Sequence, residues 1–170
     1  MVEYEKIKLI VLDVDGTLTD GGIYYDSQGD EIKCFDVKDG LGIKVAINAG
    51  INFAIITGRE SIMVIRRAKE LGIQYIQTGV QKKYPALEAL QKELRLDKNE
   101  IGYIGDDWND FQCMINVGFS ACPSNAAREL TKIADYVSEL PGGKGAVRDC
   151  VEFLLKKQGR WERCAKELYF

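Results

Sequence analysis

Short apolar runs rich in β-branched residues recur along this chain, and several of them stop at a small polar cluster containing glycine. Ile7 to Val14 runs into Asp13-Val14-Asp15-Gly16-Thr17, Asn52 to Ile56 into Thr57-Gly58-Arg59, and Gly102-Tyr103-Ile104 into Gly105-Asp106-Asp107. Gly118-Phe119-Ser120-Ala121 is a fourth such run, and Gln74-Tyr75-Ile76-Gln77 a weaker one. Apolar runs this short, bounded by turn residues, predict buried strands. Helical spacing separates them, at about residues 41–49, 61–71, 84–94, 110–116 and 125–133, and a last helix at about 146–156 follows Pro141-Gly142-Gly143. Strands alternating with helices predict a three-layer, Rossmann-like α/β domain whose central parallel sheet is covered on both faces. The 170 residues, with no linker, repeat or low-complexity tract, are read as a single domain, 1–170.

One stretch breaks the alternation. Ile23-Tyr24-Tyr25, Asp26-Ser27-Gln28-Gly29 and Glu31-Ile32-Lys33-Cys34-Phe35 read as strand, turn and strand, a β-hairpin flap over about residues 21–36. A hairpin directly after the first strand stands over that strand's carboxyl end, where ligands bind in open α/β sheets. The tail, about 158–170, carries Trp161, Leu168, Tyr169 and Phe170 and is apolar enough to dock on a subunit.

Composition removes several chemistries. There is no histidine, which excludes Ser-His-Asp and Cys-His mechanisms and disfavours a catalytic zinc site. The five cysteines, Cys34, Cys113, Cys122, Cys150 and Cys164, are odd in number and lack CxxC spacing; they read as reduced residues, mostly filling core. A net charge of −3 argues against a nucleic-acid or membrane-surface partner. Met1 to Lys8 has no signal-peptide core and no apolar run approaches the roughly 20 residues of a membrane span, so a cytoplasmic location is expected.

In a parallel sheet the carboxyl ends of the strands share one edge. Asp13, Asp15 and Asp106 would meet there as mutually repelling carboxylates, with Thr57 beside them and Lys83 at the start of a nearby helix. A hard divalent cation relieves such crowding, and oxygen ligands favour Mg²⁺. Mg²⁺, a lysine, a hydroxyl and strand-end N–H groups suit a phosphoryl group, and a carboxylate can attack it in line. Each feature also has a plainer reading. Asp13 and Asp15 could end a strand as solvated carboxylates, and Asp106, Asp107 or Asp110 could cap a helix. Thr57-Gly58 could be only a turn, and either Lys82 or Lys83 could be a solvated charge. Arg59 could cover the following helix, and Lys144 and Arg148 could open the last helix in solvent.

The set Asp13-Val14-Asp15-Gly16-Thr17, Thr57-Gly58-Arg59, Lys83 and Gly105-Asp106-Asp107-Trp108-Asn109-Asp110 resembles the four motifs of the haloacid dehalogenase superfamily. The resemblance implies that Asp13 attacks phosphorus and that Asp15 protonates the leaving oxygen and then activates water. Thr57 would bind phosphoryl oxygens, and Lys83 would bridge phosphate and nucleophile. Asp13, Asp15 through its main-chain carbonyl, and Asp106 would hold Mg²⁺, supported by Asp107 and Asp110. The hairpin segments around Asp20–Tyr25 and Gly29–Gly40, and Pro141–Asp149, are similar to the 3-deoxy-D-manno-octulosonate 8-phosphate phosphatases over about residues 6–157. That family implies a capless fold and a homotetramer in which packed hairpins close each site. Arg59 stands where phosphatases of nine-carbon keto sugar acids tend to carry Glu, so the eight-carbon substrate is favoured, with Gly58, Lys38, Lys144 and Arg148 as further substrate contacts. Lysine stands at 38 and 144 where arginine is usual or frequent, which keeps charge but loses a bidentate fork. A nine-carbon sugar acid phosphatase and a non-catalytic regulatory subunit of the same fold are the alternatives; a phosphomutase would need a cap for which there is no insert.

Overall fold

The computed structural model describes residues 2–164; Leu168, Tyr169 and Phe170 of the expected apolar tail lie outside the described residues. The first strand, β1 (Leu9–Leu12), is followed by a hairpin, β2 (Tyr24–Tyr25) and β3 (Glu31–Ile32), and by helix α1 (Val37–Asn48). Then come β4 (Asn52–Ile56), α2 (Ile62–Leu71), β5 (Tyr75–Gln77), α3 (Lys83–Leu94), β6 (Ile101–Ile104), α4 (Phe111–Met114), β7 (Phe119–Cys122), α5 (Arg128–Ile133), β8 (Tyr136–Val137) and α6 (Ala146–Lys157). Six strands form one sheet in the order β5-β4-β1-β6-β7-β8, with every pairing parallel. β1 lies inside it, so Leu9 to Leu12 pair on both sides and are fully buried. No cap domain is inserted among the described residues.

The strands alternate between two cores, as a pleated sheet covered on both faces requires. Ile10 and Leu12 pack with Ile43, Val64, Val147 and Leu154 beneath α1, α2 and α6. Leu9 and Val11 pack with Leu87, Leu90, Met114 and Leu130 beneath α3, α4 and α5. The hairpin is antiparallel, with Tyr24 opposite Ile32 and Tyr25 opposite Glu31, and it forms its own two-stranded sheet. Cys113, Cys122, Cys150 and Cys164 are buried and unbridged, and Cys34 is exposed.

Two features differ from the sequence reading. Helix α1 begins four residues earlier, at Val37, because Asp36 caps it by accepting the Lys38 N–H at 2.6 Å. Gly40 and Gly42, poor helix formers, hid that start in the sequence. Strand β8, only two residues long, was too short to show periodicity.

Asp39, in the first turn of α1, ties that helix to α6. It is almost wholly buried, and its Oδ1 accepts the Arg148 N–H at 2.8 Å. Its Oδ2 has no hydrogen-bond partner among the described residues. Burial pushes its carboxyl up to about 6. The folded protein therefore holds this proton between the ordinary carboxylate range and about pH 6, where the unfolded chain has released it. Stability from this group is full at low pH and is lost as pH rises through that window, by roughly 2 to 3 kcal/mol. Asp39→Asn, which does not titrate, should gain on the wild type as pH rises from 4 to 7. Thermal unfolding should show the difference in Tm moving in the variant's favour by roughly 5 °C, and a difference independent of pH would refute the assignment.

Candidate active site

The carboxyl ends of β1, β4 and β6 converge because the three strands are parallel neighbours. Asp13 continues the ladder beyond β1: its N–H donates to the Ile104 carbonyl at 2.9 Å. The chain then curls tightly, and the Val14 carbonyl accepts the N–H groups of Thr17, Leu18 and Thr19 at 3.2, 2.9 and 3.0 Å. Gly16 sits at φ +93°, and a Cβ there would lie 2.0 Å from Asp106 Oδ2, so only glycine lets Asp106 approach. Thr17 completes the contact by donating its hydroxyl to Asp106 Oδ1 at 3.1 Å.

Lys83, the first residue of α3, is 2% exposed, whereas Lys82 is exposed, which settles which lysine enters the site. Lys83 Nζ lies 2.6 Å from Asp13 Oδ1 and 2.8 Å from Asp110 Oδ1. Burial alone would lower the lysine's pKa, but the charges of Asp13 and Asp110 hold it above its ordinary value, so it stays protonated. Asp110 is fully engaged. Its Oδ1 also accepts the Tyr103 hydroxyl at 2.6 Å, and its Oδ2 accepts the N–H groups of Asp106 and Asp107 at 3.1 and 3.3 Å. It thus anchors both the lysine and the Asp106–Asp107 turn.

Asp13, Asp106 and Asp110 each offer a carboxylate oxygen within 4.8 Å of the others. Burial, then the charge of Asp110, hold Asp13 well above the usual carboxylate range, and burial pushes Asp106 up to about 6. A divalent cation bound among these oxygens would offset the repulsion that burial and crowding impose on Asp13 and Asp106. The donors are all oxygen, which fits Mg²⁺. Burial, then the charge of Asp110, also pushes Cys113 up to about 12, so this thiol stays protonated and is no nucleophile.

Beside the cluster lies a cavity of about 200 Å³ lined by Asp13, Asp15, Thr57, Gly58, Arg59, Asp107 and Asn109. A larger hollow of about 680 Å³, bordered by Lys8, Tyr84 and Glu100, lies at the opposite edge of the sheet and contains none of these groups. Asp107 lines the smaller cavity while one of its oxygens accepts the Trp108 N–H at 2.8 Å, so it also caps the following turn. Of the remaining expected contacts, Lys38 and Lys144 are exposed and do not line the cavity. Arg148 packs its guanidinium 5.1 Å from the centre of the Trp161 ring and 3.6 Å from Glu152, away from the cavity.

Several residues had gone without a role in the sequence reading. Lys33, from the hairpin, is paired with Asp15 Oδ1 and lies 3.3 Å from Glu31 Oε1. Arg59 reaches the same Glu31 oxygen at 3.0 Å and stands 3.9 Å from Asp15 Oδ2. Tyr103 and Glu31 are the others, with Asn109 on the cavity wall. Charged residues inside a hairpin were the one available signal, because Glu31 and Lys33 share a face in a period-two strand.

A family model described as haloacid dehalogenase-like hydrolase matches residues 76–146. The 3-deoxy-D-manno-octulosonate 8-phosphate phosphatase of Escherichia coli strain K12 is 42% identical over 156 residues, covering 92% of this chain and 83% of that protein. The crystal structure of the phosphatase of that name from Moraxella catarrhalis, in complex with magnesium ion, phosphate ion and KDO, superposes with a TM-score of 0.94 at 43% identity, covering 96% of this chain and 94% of that one. The cobalt-bound form of the Haemophilus influenzae phosphatase superposes with a TM-score of 0.88 at 38% identity, covering 93% and 92%. Identity at this level, spread over nearly the whole chain, shows that the protein belongs to the 3-deoxy-D-manno-octulosonate 8-phosphate phosphatase family of haloacid dehalogenase-like hydrolases.

Proposed function

We propose that this protein is a Mg²⁺-dependent phosphatase that hydrolyses 3-deoxy-D-manno-octulosonate 8-phosphate to the eight-carbon sugar acid and phosphate. The observation that carries this reading is Asp13, buried at the cavity floor with one oxygen 2.6 Å from a buried, protonated lysine. The magnesium, phosphate and KDO bound together by the Moraxella catarrhalis relative support the substrate class.

Asp13 attacks phosphorus with its carboxylate oxygen, forming an aspartyl-phosphate as the bond to the sugar oxygen breaks. Asp15, across the cavity mouth, gives that oxygen a proton, then takes one from the water that hydrolyses the intermediate. Lys83 holds the attacking carboxylate in place and balances its charge. Thr57, buried at the end of β4, and Gly58 line the cavity where phosphoryl oxygens would sit. Asp13, Asp106 and the Asp15 main chain would hold the Mg²⁺, with Asp107 and Asp110 in support, and the ion would supply charge neutralisation for the phosphate. Arg59, which lines the cavity with its side chain 41% exposed, would take the sugar carboxylate in exchange for Glu31. Lys38, Lys144 and Arg148 do not reach the cavity of their own chain, so a substrate role for them requires a neighbouring subunit.

A homotetramer fits the surface. Ile23, Tyr25 and Ile32 on the hairpin are 59%, 61% and 51% exposed, and Val37 and Ile62 are 78% and 75% exposed. Light scattering on the purified protein should give about four times the chain mass, and a monomer would refute the assembly. No helix among the described residues is long and apolar enough to cross a membrane; with its unbridged cysteines, the chain suits a reducing cytoplasm.

Asp13→Asn, isosteric and unable to attack, should lower kcat by roughly a thousandfold or more with the fold kept. Full Mg²⁺-dependent turnover by that variant would reject Asp13 as nucleophile. The wild type should show a higher kcat/KM for the eight-carbon phosphate than for nine-carbon keto sugar acid phosphates. Arg59→Ala should lower the eight-carbon value about tenfold, mainly through KM, the loss expected for one charge-assisted contact. A wild-type value for the eight-carbon phosphate no higher than for the nine-carbon analogues would overturn the eight-carbon assignment.

A further inference from the structure

Burying an ammonium costs several kcal/mol unless its charge is matched. Yet Lys33, on a hairpin whose apolar residues face solvent, has a side chain only 4% exposed. The hairpin is inverted: Ile32 points out, while Glu31 and Lys33, on the opposite face of the strand, point in. What Lys33 meets inside is Asp15, the group assigned above to proton transfer, and Glu31 at 3.3 Å. Glu31 is itself fixed by Arg59 at 3.0 Å. No other described cation binds Asp15 closely; Arg59 stands 3.9 Å away with its side chain 41% exposed.

We propose that Lys33 is a positioning residue that sets the orientation of the Asp15 carboxyl at the cavity mouth, with Glu31 as its anchor. The Asp15 side chain is 27% exposed and would otherwise turn freely about two bonds. Proton transfer needs it within hydrogen-bond reach of the sugar oxygen as the P–O bond breaks. In that step the electron pair of the broken bond passes to the sugar oxygen, the proton of Asp15 joins it, and Asp15 is left as the carboxylate that accepts a proton from water. A lysine gripping one carboxylate oxygen leaves the other to face the cavity. The hairpin therefore carries part of the catalytic geometry besides covering the site.

This inference rests on Asp15 being the acid and base, and the leaving group separates the two claims. A sugar alkoxide needs a proton to depart, whereas p-nitrophenolate leaves as a stable anion. Lys33→Met should lower the single-turnover rate of sugar release by about 10- to 100-fold, up to the lower end of the range for general acid–base catalysis, with KM changed less than threefold. The loss with p-nitrophenyl phosphate should be at least about tenfold smaller, as for any defect confined to leaving-group protonation. Lys33→Arg should recover most of the loss. Glu31→Gln, which frees the anchor and keeps the lysine, should show a weaker loss with the same dependence on leaving group. Asp15→Asn is the reference. If it shows the leaving-group dependence while Lys33→Met and Glu31→Gln slow both substrates equally, the positioning role is overturned and Asp15 keeps its assignment. If Asp15→Asn slows the release of both leaving groups equally in a single turnover, the general-acid reading itself fails. Circular dichroism and Tm check folding, and should Lys33→Met not fold, Glu31→Gln and Lys33→Arg carry the test.

Discussion

The ion cluster of Lys83 with Asp13 and Asp110 is the constraint on which the rest of the site depends. Both partners of the lysine are almost fully buried, so the cluster excludes the water that would otherwise screen it. Removing one member of such a cluster leaves an unmatched charge in the interior, at a cost of about 3 to 5 kcal/mol. Asp110 takes no direct place in the proposed chemistry, yet it holds Lys83, Tyr103 and the Asp106–Asp107 backbone at once. Through it, the ends of β6 and α3 are fixed against the end of β1. The same electrostatics that make the cluster costly without a cation make it a receptor for one.

The loop after Asp13 is braced from the other side by main chain. The Val14 carbonyl gathers three N–H groups, and the Thr19 hydroxyl accepts the N–H groups of Gly16 and Gly21 at 3.3 and 3.2 Å. The loop before α6 presses against this curl: the Gly143 N–H donates to the Thr17 carbonyl at 3.1 Å, and a Cβ on Gly142 would lie 1.7 Å from the Gly16 carbonyl oxygen. No side chain fits between the two loops. Pro141-Gly142-Gly143, more than a hundred residues from Asp13 in sequence, is therefore part of what holds the proposed nucleophile still, and positional precision is most of what phosphoryl transfer asks of a protein.

The sheet and the carboxylate cluster were legible in the sequence for one reason: period and punctuation coincide. β1, β4 and β6 are buried on both faces, so they read as unbroken apolar runs, and each ends on residues of the candidate site. Lys83 was legible only to within one residue, because helix phase decides between neighbours and the sequence did not show where α3 begins. Tyr103 was hidden because a tyrosine in a buried strand looks like core until Asp110 is placed against its hydroxyl. Lys144 and Arg148 were placed with the substrate by the family pattern, yet in the single chain Lys144 faces solvent and Arg148 is taken up by Trp161 and Glu152. Lys33 could not be found from periodicity, because a hairpin with polar residues inside and apolar residues outside inverts the rule by which faces are assigned.

That inversion is where fold and function meet. A sheet edge without a cap must still exclude water from a phosphoryl group and distinguish one sugar acid from another. Here the elements available for that are short loops and a hairpin with two-residue strands, too small to hold a core of its own. The hairpin can be ordered over the site only by ion pairs beneath it and by apolar contact above it. Glu31 and Lys33 supply the first, on Arg59 and Asp15. Ile23, Tyr25 and Ile32, exposed on its outer face, are the side chains available for the second. Each half explains the other's polarity: ionic contacts inside leave the apolar side chains outside, where the proposed assembly would cover them. In the proposed assembly, a partner that held Ile32 in place would also hold Lys33, the residue beside it, against Asp15.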